Sequence, residues 1–297
     1  MCQIKVVASL TTLPDRTEKF ISTIKSLLTQ TRVPDVIYVT IPKIAKRLNQ
    51  GYDKKVIEYV KSMSPIIQFV ELEVDYGPLC KILGAIKEEQ DPETIIITFD
   101  DDISYHSDIV QKLIDASFAY PNSAISSSGA IFGSRSLLNI SSIGANSPDS
   151  NWIIGFKVDG SKTVDLLPGF AGVLYKRSHF DTVEDIVQYA TRELYYNDDV
   201  LISGYISKRG IERRVVDNIP FCQRSETTSK LTGNELSYSK VKFLTRFTKA
   251  VHQAFDQGMY PVLEYSQPYE SVGGKIFLFL LVVLIVLFGV YISRKTA

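Results

Sequence analysis

Thr94 to Asp102 reads TIIITFDDD. The first six residues are β-branched or aromatic, which is the composition of a strand buried on both faces. The chain then passes straight into Asp100, Asp101 and Asp102. Three neighbouring carboxylates repel one another, so their placement at a strand end points to a compensating cation. A hard divalent ion such as Mn²⁺ or Mg²⁺ takes oxygen ligands and needs only one or two carboxylates when phosphates supply the rest.

Upstream of this stretch, apolar strands alternate with helical periodicity. Residues 4–10, 36–41 and 66–72 read as strands. Residues 16–29, 54–63 and 79–89 carry apolar positions at helical spacing, and 107–118 does so downstream. The alternation predicts an α/β fold, with a mainly parallel sheet flanked by helices on both faces. Ligands in such sheets sit at the carboxyl ends of the strands. Those ends carry TTLPDR (residues 11–16), DYGP (75–78) and DDD. Further on, short strands are expected at 151–158 and 172–175, and helices at 178–190 and 197–208. No Walker-type phosphate loop, HExxH or GxSxG motif is present, so P-loop NTPases, zincins and α/β-hydrolases lack support.

With SLTTLPDR, DYGPLCK, FDDDI, LPGFAGVLYKR and NDDVLISGYISKRG in this order, residues 4–222 resemble a GT-A glycosyltransferase of the family 2 type. FDDDI stands as the DXD-type motif. The resemblance implies a Rossmann-like GT-A fold and transfer of a sugar from a nucleotide-sugar donor to a hydroxyl of a glycan, lipid-linked or protein acceptor. It implies Mn²⁺ or Mg²⁺ on the donor diphosphate, held by Asp102 and Asp100, with Asp101 assisting or facing the sugar. Asp100 would also face the ribose or base. Thr11, Thr12 and Arg16, with Asp75, Tyr76 and Lys81, would meet the nucleotide. Gly169 and Gly172, in GFAG, would let backbone approach the sugar. Asp198 or Asp199 would be the base of an inverting reaction, although Asn197 and these acids also suit an ordinary helix start. Two other readings stand beside this one: nucleotidyl transfer onto a sugar phosphate, and an inactive GT-A domain serving as a membrane-anchored binding module.

The chain has 297 residues, with 33 basic and 33 acidic side chains. A net charge of zero supplies no global field for phosphate, which argues against a nucleic-acid partner. The balance is uneven along the chain. Ile276 to Ile292 is an uncharged run flanked by Lys275, Arg294 and Lys295. Its length approaches the roughly 20 residues that span a bilayer, so it reads as a C-terminal transmembrane helix. Lys240 to Phe255 shows an apolar face and a basic one, fitting either a membrane surface or packing on the domain. The expected organisation is a GT-A domain over 1–235, an amphipathic helix and linker over 236–272, and an anchor over 273–293. Met1 to Leu10 lacks the pattern of a secretory signal. A single-pass membrane protein with a cytosolic catalytic domain is therefore expected. The three cysteines, Cys2, Cys80 and Cys222, show no zinc spacing.

Overall fold

The computed structural model describes residues 4–132, 152–155, 158–220 and 235–260. The chain separates into a unit over Met1–Val262 and a second over Leu263–Ala297. Among the described residues no helix is long and apolar enough to cross a membrane. The anchor expected over residues 273–293 lies outside them.

The first unit begins with β1 (Val6–Leu10), α1 (Thr17–Leu28), β2 (Val36–Pro42), α2 (Lys54–Met63) and β3 (Ile67–Leu72). A 3₁₀ turn at Gly77–Leu79 leads into α3 (Cys80–Glu88), followed by β4 (Ile95–Thr98), α4 (Ile109–Ala119), β5 (Ser123–Ser126) and β6 (Ser128–Ala130). Then come β7 (Trp152–Ile154), β8 (Ser161–Thr163), β9 (Val173–Lys176), α5 (Val183–Val187), α6 (Asp198–Lys208), β10 (Glu212–Val216) and α7 (Glu235–Asp256).

The main sheet runs β3-β2-β1-β4-β9-β5-β10-β8, and β6 pairs with β7 apart from it. β1, β2, β3 and β4 are mutually parallel. β9 lies antiparallel to both β4 and β5, and β10 runs parallel to β5. The edge strand β8 is antiparallel to β10. The expected alternation is thus present, with one reversal in the middle of the sheet.

Side-chain direction explains why the inner strands are apolar at nearly every position. Val6, Ala8 and Leu10 of β1 join a core with Phe20, Ile24 and Leu27 of α1 and with Ile109, Val110 and Leu113 of α4. Val7, between them, joins the opposite core with Ile82, Leu83 and Ile86 of α3 and with Val200 and Leu201 of α6. Successive residues of a strand face opposite sides, so a strand covered on both faces is apolar or internally hydrogen-bonded at every position, as Ser9 of β1 is through its hydroxyl to Lys81 O. At Gly84 in α3 a Cβ would collide with the Thr40 side chain of β2. That close approach offsets the helix-propensity cost of glycine, about 1 kcal/mol.

Two helical expectations differ in the structure. Residues 178–190 do not form one helix: a 3₁₀ turn at Arg177–His179 is followed by the short α5. The Thr182 hydroxyl accepts from Asp185 N and the Asp185 carboxylate accepts from Thr182 N, a reciprocal cap that starts α5 anew. α7 buries Phe247, Ala250, Val251 and Ala254 in the same core as Phe132 and Tyr260. This face belongs to the domain, so the packing alternative holds for that stretch and the unit extends beyond residue 235.

Candidate active site

Four segments converge at the carboxyl edge of the parallel strands. β1 ends at Leu10 and leads to Thr11, Thr12 and Arg16, and β4 ends at Thr98 and leads to the three aspartates. α3 contributes Lys81 from its first turn, and α6 begins with Asp198 and Asp199.

The aspartates do not face one common point. Asp101 is buried, its Oδ2 accepting from the Thr12 hydroxyl at 2.7 Å and its Oδ1 from Arg16 Nη1 at 2.8 Å. Burial pushes its carboxyl up, and the Arg16 guanidinium opposes the shift. Asp101 therefore braces the loop after β1. Thr12 is spent on the same brace. Arg16 is held above the ordinary arginine value because Asp101, Asp102 and Asp15 outweigh its desolvation.

Asp100 turns the other way, with its Oδ1 accepting from Lys81 Nζ at 2.5 Å. The same ammonium stands 2.8 Å from Asp198 Oδ2 and 3.9 Å from Asp199 Oδ1. Only 6% of the Lys81 side chain is exposed, and its ammonium faces the carboxylates. Desolvation alone would lower its pKa, but Asp100, Asp198 and Asp199 hold it well above the usual lysine value. Asp198 Oδ2 is buried and, despite its nearness to Lys81, receives no hydrogen bond of good geometry.

Asp199 is about a third exposed, and its Oδ1 accepts from Gly169 N at 2.9 Å. Burial of the carboxyl group, and next the charge of Asp198, push its pKa up to about 8, against the pull of Lys81. Gly169 is closely fitted. A Cβ there would collide with Lys81 Nζ and lie 2.9 Å from Asp100 Oδ1 and 3.0 Å from Asp199 Oδ1. The Ser203 hydroxyl of α6 accepts from Leu167 N at 3.0 Å and pins the approach to this turn. Gly172 adopts φ +72°, and a Cβ there would press on Phe99 and Ile109 at 3.2 Å. Both the left-handed turn and the close packing call for glycine there.

Asp102 remains half-buried, with Oδ2 3.8 Å from Arg16. Thr11 and Tyr76 are also half-buried near strand ends. Asp75 is buried, its Oδ1 accepting from Gly77 N at 2.6 Å and its Oδ2 from Lys46 N at 2.7 Å. Asp75 thereby ties together the loops after β2 and β3. Its charge acts on two phenols, Tyr52 and Tyr195, which burial already pushes up. Tyr52 donates to Thr12 O at 2.8 Å, and Lys46 Nζ lies 5.8 Å from the centre of the Tyr195 ring. The sequence carries no signal for either tyrosine, since nothing local marks an aromatic as facing a site. His106 is exposed and paired with Asp108. Trp152 lies in β7, and Phe156 lies outside the described residues.

Among the described residues no group of three or more His, Cys, Asp or Glu side chains is arranged to hold a metal ion. The donors that remain suit a hard cation completed by phosphate: Asp102, half-exposed, and Asp100, with 30% of its side chain exposed.

No protein-family model matches the chain, and no curated protein matches it in sequence. Among solved structures, TarS from S. aureus is similar over 81% of this chain, with 14% identity and a TM-score of 0.48. The chain spans 39% of the length of that structure.

Proposed function

We propose that the chain is a glycosyltransferase, moving a sugar from a nucleotide-sugar donor to an acceptor hydroxyl with inversion. The observation that carries this reading is the meeting of β4-end Asp100 with α6-start Asp198 and Asp199 around one buried lysine, beside half-open Asp102. Such an arrangement has a donor side and an acceptor side. Asp102 and Asp100 would hold Mn²⁺ or Mg²⁺ together with the donor diphosphate. When bound, that ion supplies electrostatic stabilisation of the departing nucleoside diphosphate.

The chain's own groups do the rest. Tyr52 and Tyr195, both near enough to Asp75 to feel its charge, offer aromatic surface for the nucleobase. Gly169, lacking a Cβ, lets its turn lie directly against Lys81 and the carboxylates of Asp100 and Asp199. Asp199 is the better candidate base of the pair, because its carboxylate is more open than that of Asp198 and its raised pKa makes the deprotonated form a stronger proton acceptor. Asp198, more deeply buried against Lys81, positions the start of α6. A membrane tether through residues 273–293, with the catalytic domain on the cytosolic side, belongs to the same proposal and rests on the uncharged run at 276–292.

The test is turnover with a panel of nucleotide-sugars and Mn²⁺, reading nucleoside diphosphate and pyrophosphate separately. Nucleoside diphosphate release that Asp102→Ala abolishes supports the reading. Pyrophosphate release from a nucleoside triphosphate and a sugar phosphate would replace it with nucleotidyl transfer.

A further inference from the structure

The loop after β2, residues 43–50, reads KIAKRLNQ and carries three basic side chains and no acidic one. Its backbone is held from within. Lys43 N donates to Leu72 O at 3.0 Å, buried Ala45 donates through its N to Gln50 O at 2.9 Å, and Lys46 N donates to Asp75. The outward side chains are therefore displayed by a fixed loop. Ile44 is 51% exposed, and Leu48 is exposed beside Lys46 and Arg47. Val74, after β3, adds another exposed apolar side chain to this rim. Glu73 faces Lys43 at 2.6 Å and Asp75 is buried, so Lys46 and Arg47 carry the loop's outer charge. Lys46 lies over the Tyr195 ring, and the rim continues to exposed Tyr196, 4.8 Å away between ring centres. Arg246 of α7 stands 5.3 Å from the centre of the Tyr196 ring.

We propose that this rim docks on an anionic bilayer surface, with Ile44, Leu48 and Val74 entering the interface and Lys46, Arg47 and Arg246 meeting the headgroups. A single exposed apolar residue is ordinary, whereas apolar side chains grouped among basic ones suit an anionic lipid surface. Phe118 gives the contrast. It is 65% exposed, but it sits in the last turn of α4, which leads to the amino end of β5 at the opposite edge of the sheet. The route of the chain favours the rim. Tyr260 is buried, and its hydroxyl donates to Val200 O in the first turn of α6, so the chain leaves this domain near the carboxyl edge. From there residues 261–275 reach on the order of 50 Å at most before the uncharged run at 276–292. A domain tethered that closely meets the bilayer often, and the rim decides which face it presents. The inference rests on the membrane-tether reading and is independent of the reaction catalysed.

The test uses the full chain reconstituted with vesicles of phosphatidylcholine and phosphatidylglycerol in equal parts, or of phosphatidylcholine alone. Leu48→Trp places a fluorescent reporter on the loop, and the unaltered chain, whose one tryptophan is Trp152, supplies the background. Flotation of the vesicles reads the tether, and quenching by brominated lipid reads the loop. The expected result is strong quenching at position 48 in the anionic vesicles. It should fall roughly twofold or more in phosphatidylcholine alone, with added salt, or with Arg47→Glu. Phe118→Trp should add no quenching. If Leu48→Trp does not fold, Ile44→Trp gives the same reading. A chain that floats but is quenched no more at 48 than at 118 overturns the docking face and leaves the tether standing. Equal quenching in the two kinds of vesicle overturns the anionic preference. A chain that floats with neither overturns the tether and the docking face together. A reporter that responds to an added glycan and not to lipid would give the rim to an acceptor sugar instead.

Discussion

Arg16 and Asp101 meet at 2.8 Å, joining the loop after β1 to the end of β4. The Thr12 hydroxyl completes the contact on the second carboxylate oxygen. Breaking it by Asp101→Ala removes the shortest partner of both the Thr12 hydroxyl and the guanidinium, which keeps Asp102 at 3.8 Å. A loss of about 1–3 kcal/mol is expected, below the value for a fully buried pair because Arg16 is partly solvated. Denaturant unfolding measures it, and a midpoint equal to that of the unaltered chain would count against the bracing role.

Gly169→Ala should spare the fold and damage the site. The added methyl meets Lys81 Nζ and sits 2.9 Å from Asp100 Oδ1, so the carboxylates must shift by tenths of an ångström. A fall in kcat on the order of 10²-fold is expected from such misplacement. Steady-state turnover alongside a melting curve separates this from unfolding.

Asp199→Asn should lower kcat by roughly 10²–10⁴-fold, the usual contribution of a general base. The active form of a base is the deprotonated one. The rate of the unaltered chain should therefore rise with pH until about 8, where Asp199 titrates, and then level. In Asp199→Asn that limb should vanish. A pH profile retaining the limb in the variant would move the role to Asp198.

His179 gives a separate pH dependence, in stability. It is buried, with Nδ1 accepting from Lys176 N at 3.3 Å, and burial pushes its pKa down to about 4. Its folded pKa is thus below the unfolded one, near 6.5. The unfolded chain binds more protons in that window, so this contribution is whole above pH 6.5 and is lost as pH falls towards 4. Its size is about 3 kcal/mol at most. His179→Gln should flatten the fall in unfolding midpoint between pH 7 and 4.5.

The strands and the Asp100–Asp102 corner are legible in the sequence because burial on both faces leaves an unbroken apolar run that stops at charge. The partners of those aspartates are not. Lys81 stands 19 positions before Asp100, in a helix whose buried face also takes Ile82 and Leu83, and only the tertiary packing turns its ammonium inward. The direction of β9 is hidden for a related reason: the buried residues Val173, Leu174 and Tyr175 read as a strand whichever way it runs, and its reversal depends on where the GFAG turn delivers it. α7 resists reading because a basic amphipathic helix has the same pattern on a membrane as on a domain. Phe247, Val251 and Ala254 decide this through contacts with residues such as Phe132 that lie far away in sequence.

The reversed strand has a consequence for how the molecule assembles. Val173 of β9 pairs with Thr98 of β4 and also with Ser126 of β5, so the strand following the GFAG turn seals two halves of the sheet. The carboxylate cluster straddles the same seam. Contacts so distant along the chain form late, after the local helices and neighbouring parallel strands. Under the proposed function, partly folded chains would therefore hold the loops after β1 and β4 without the acids of α6, and would not turn over donor. Appearance of catalysis during refolding should coincide with closure of that seam, making turnover a readout of completed folding.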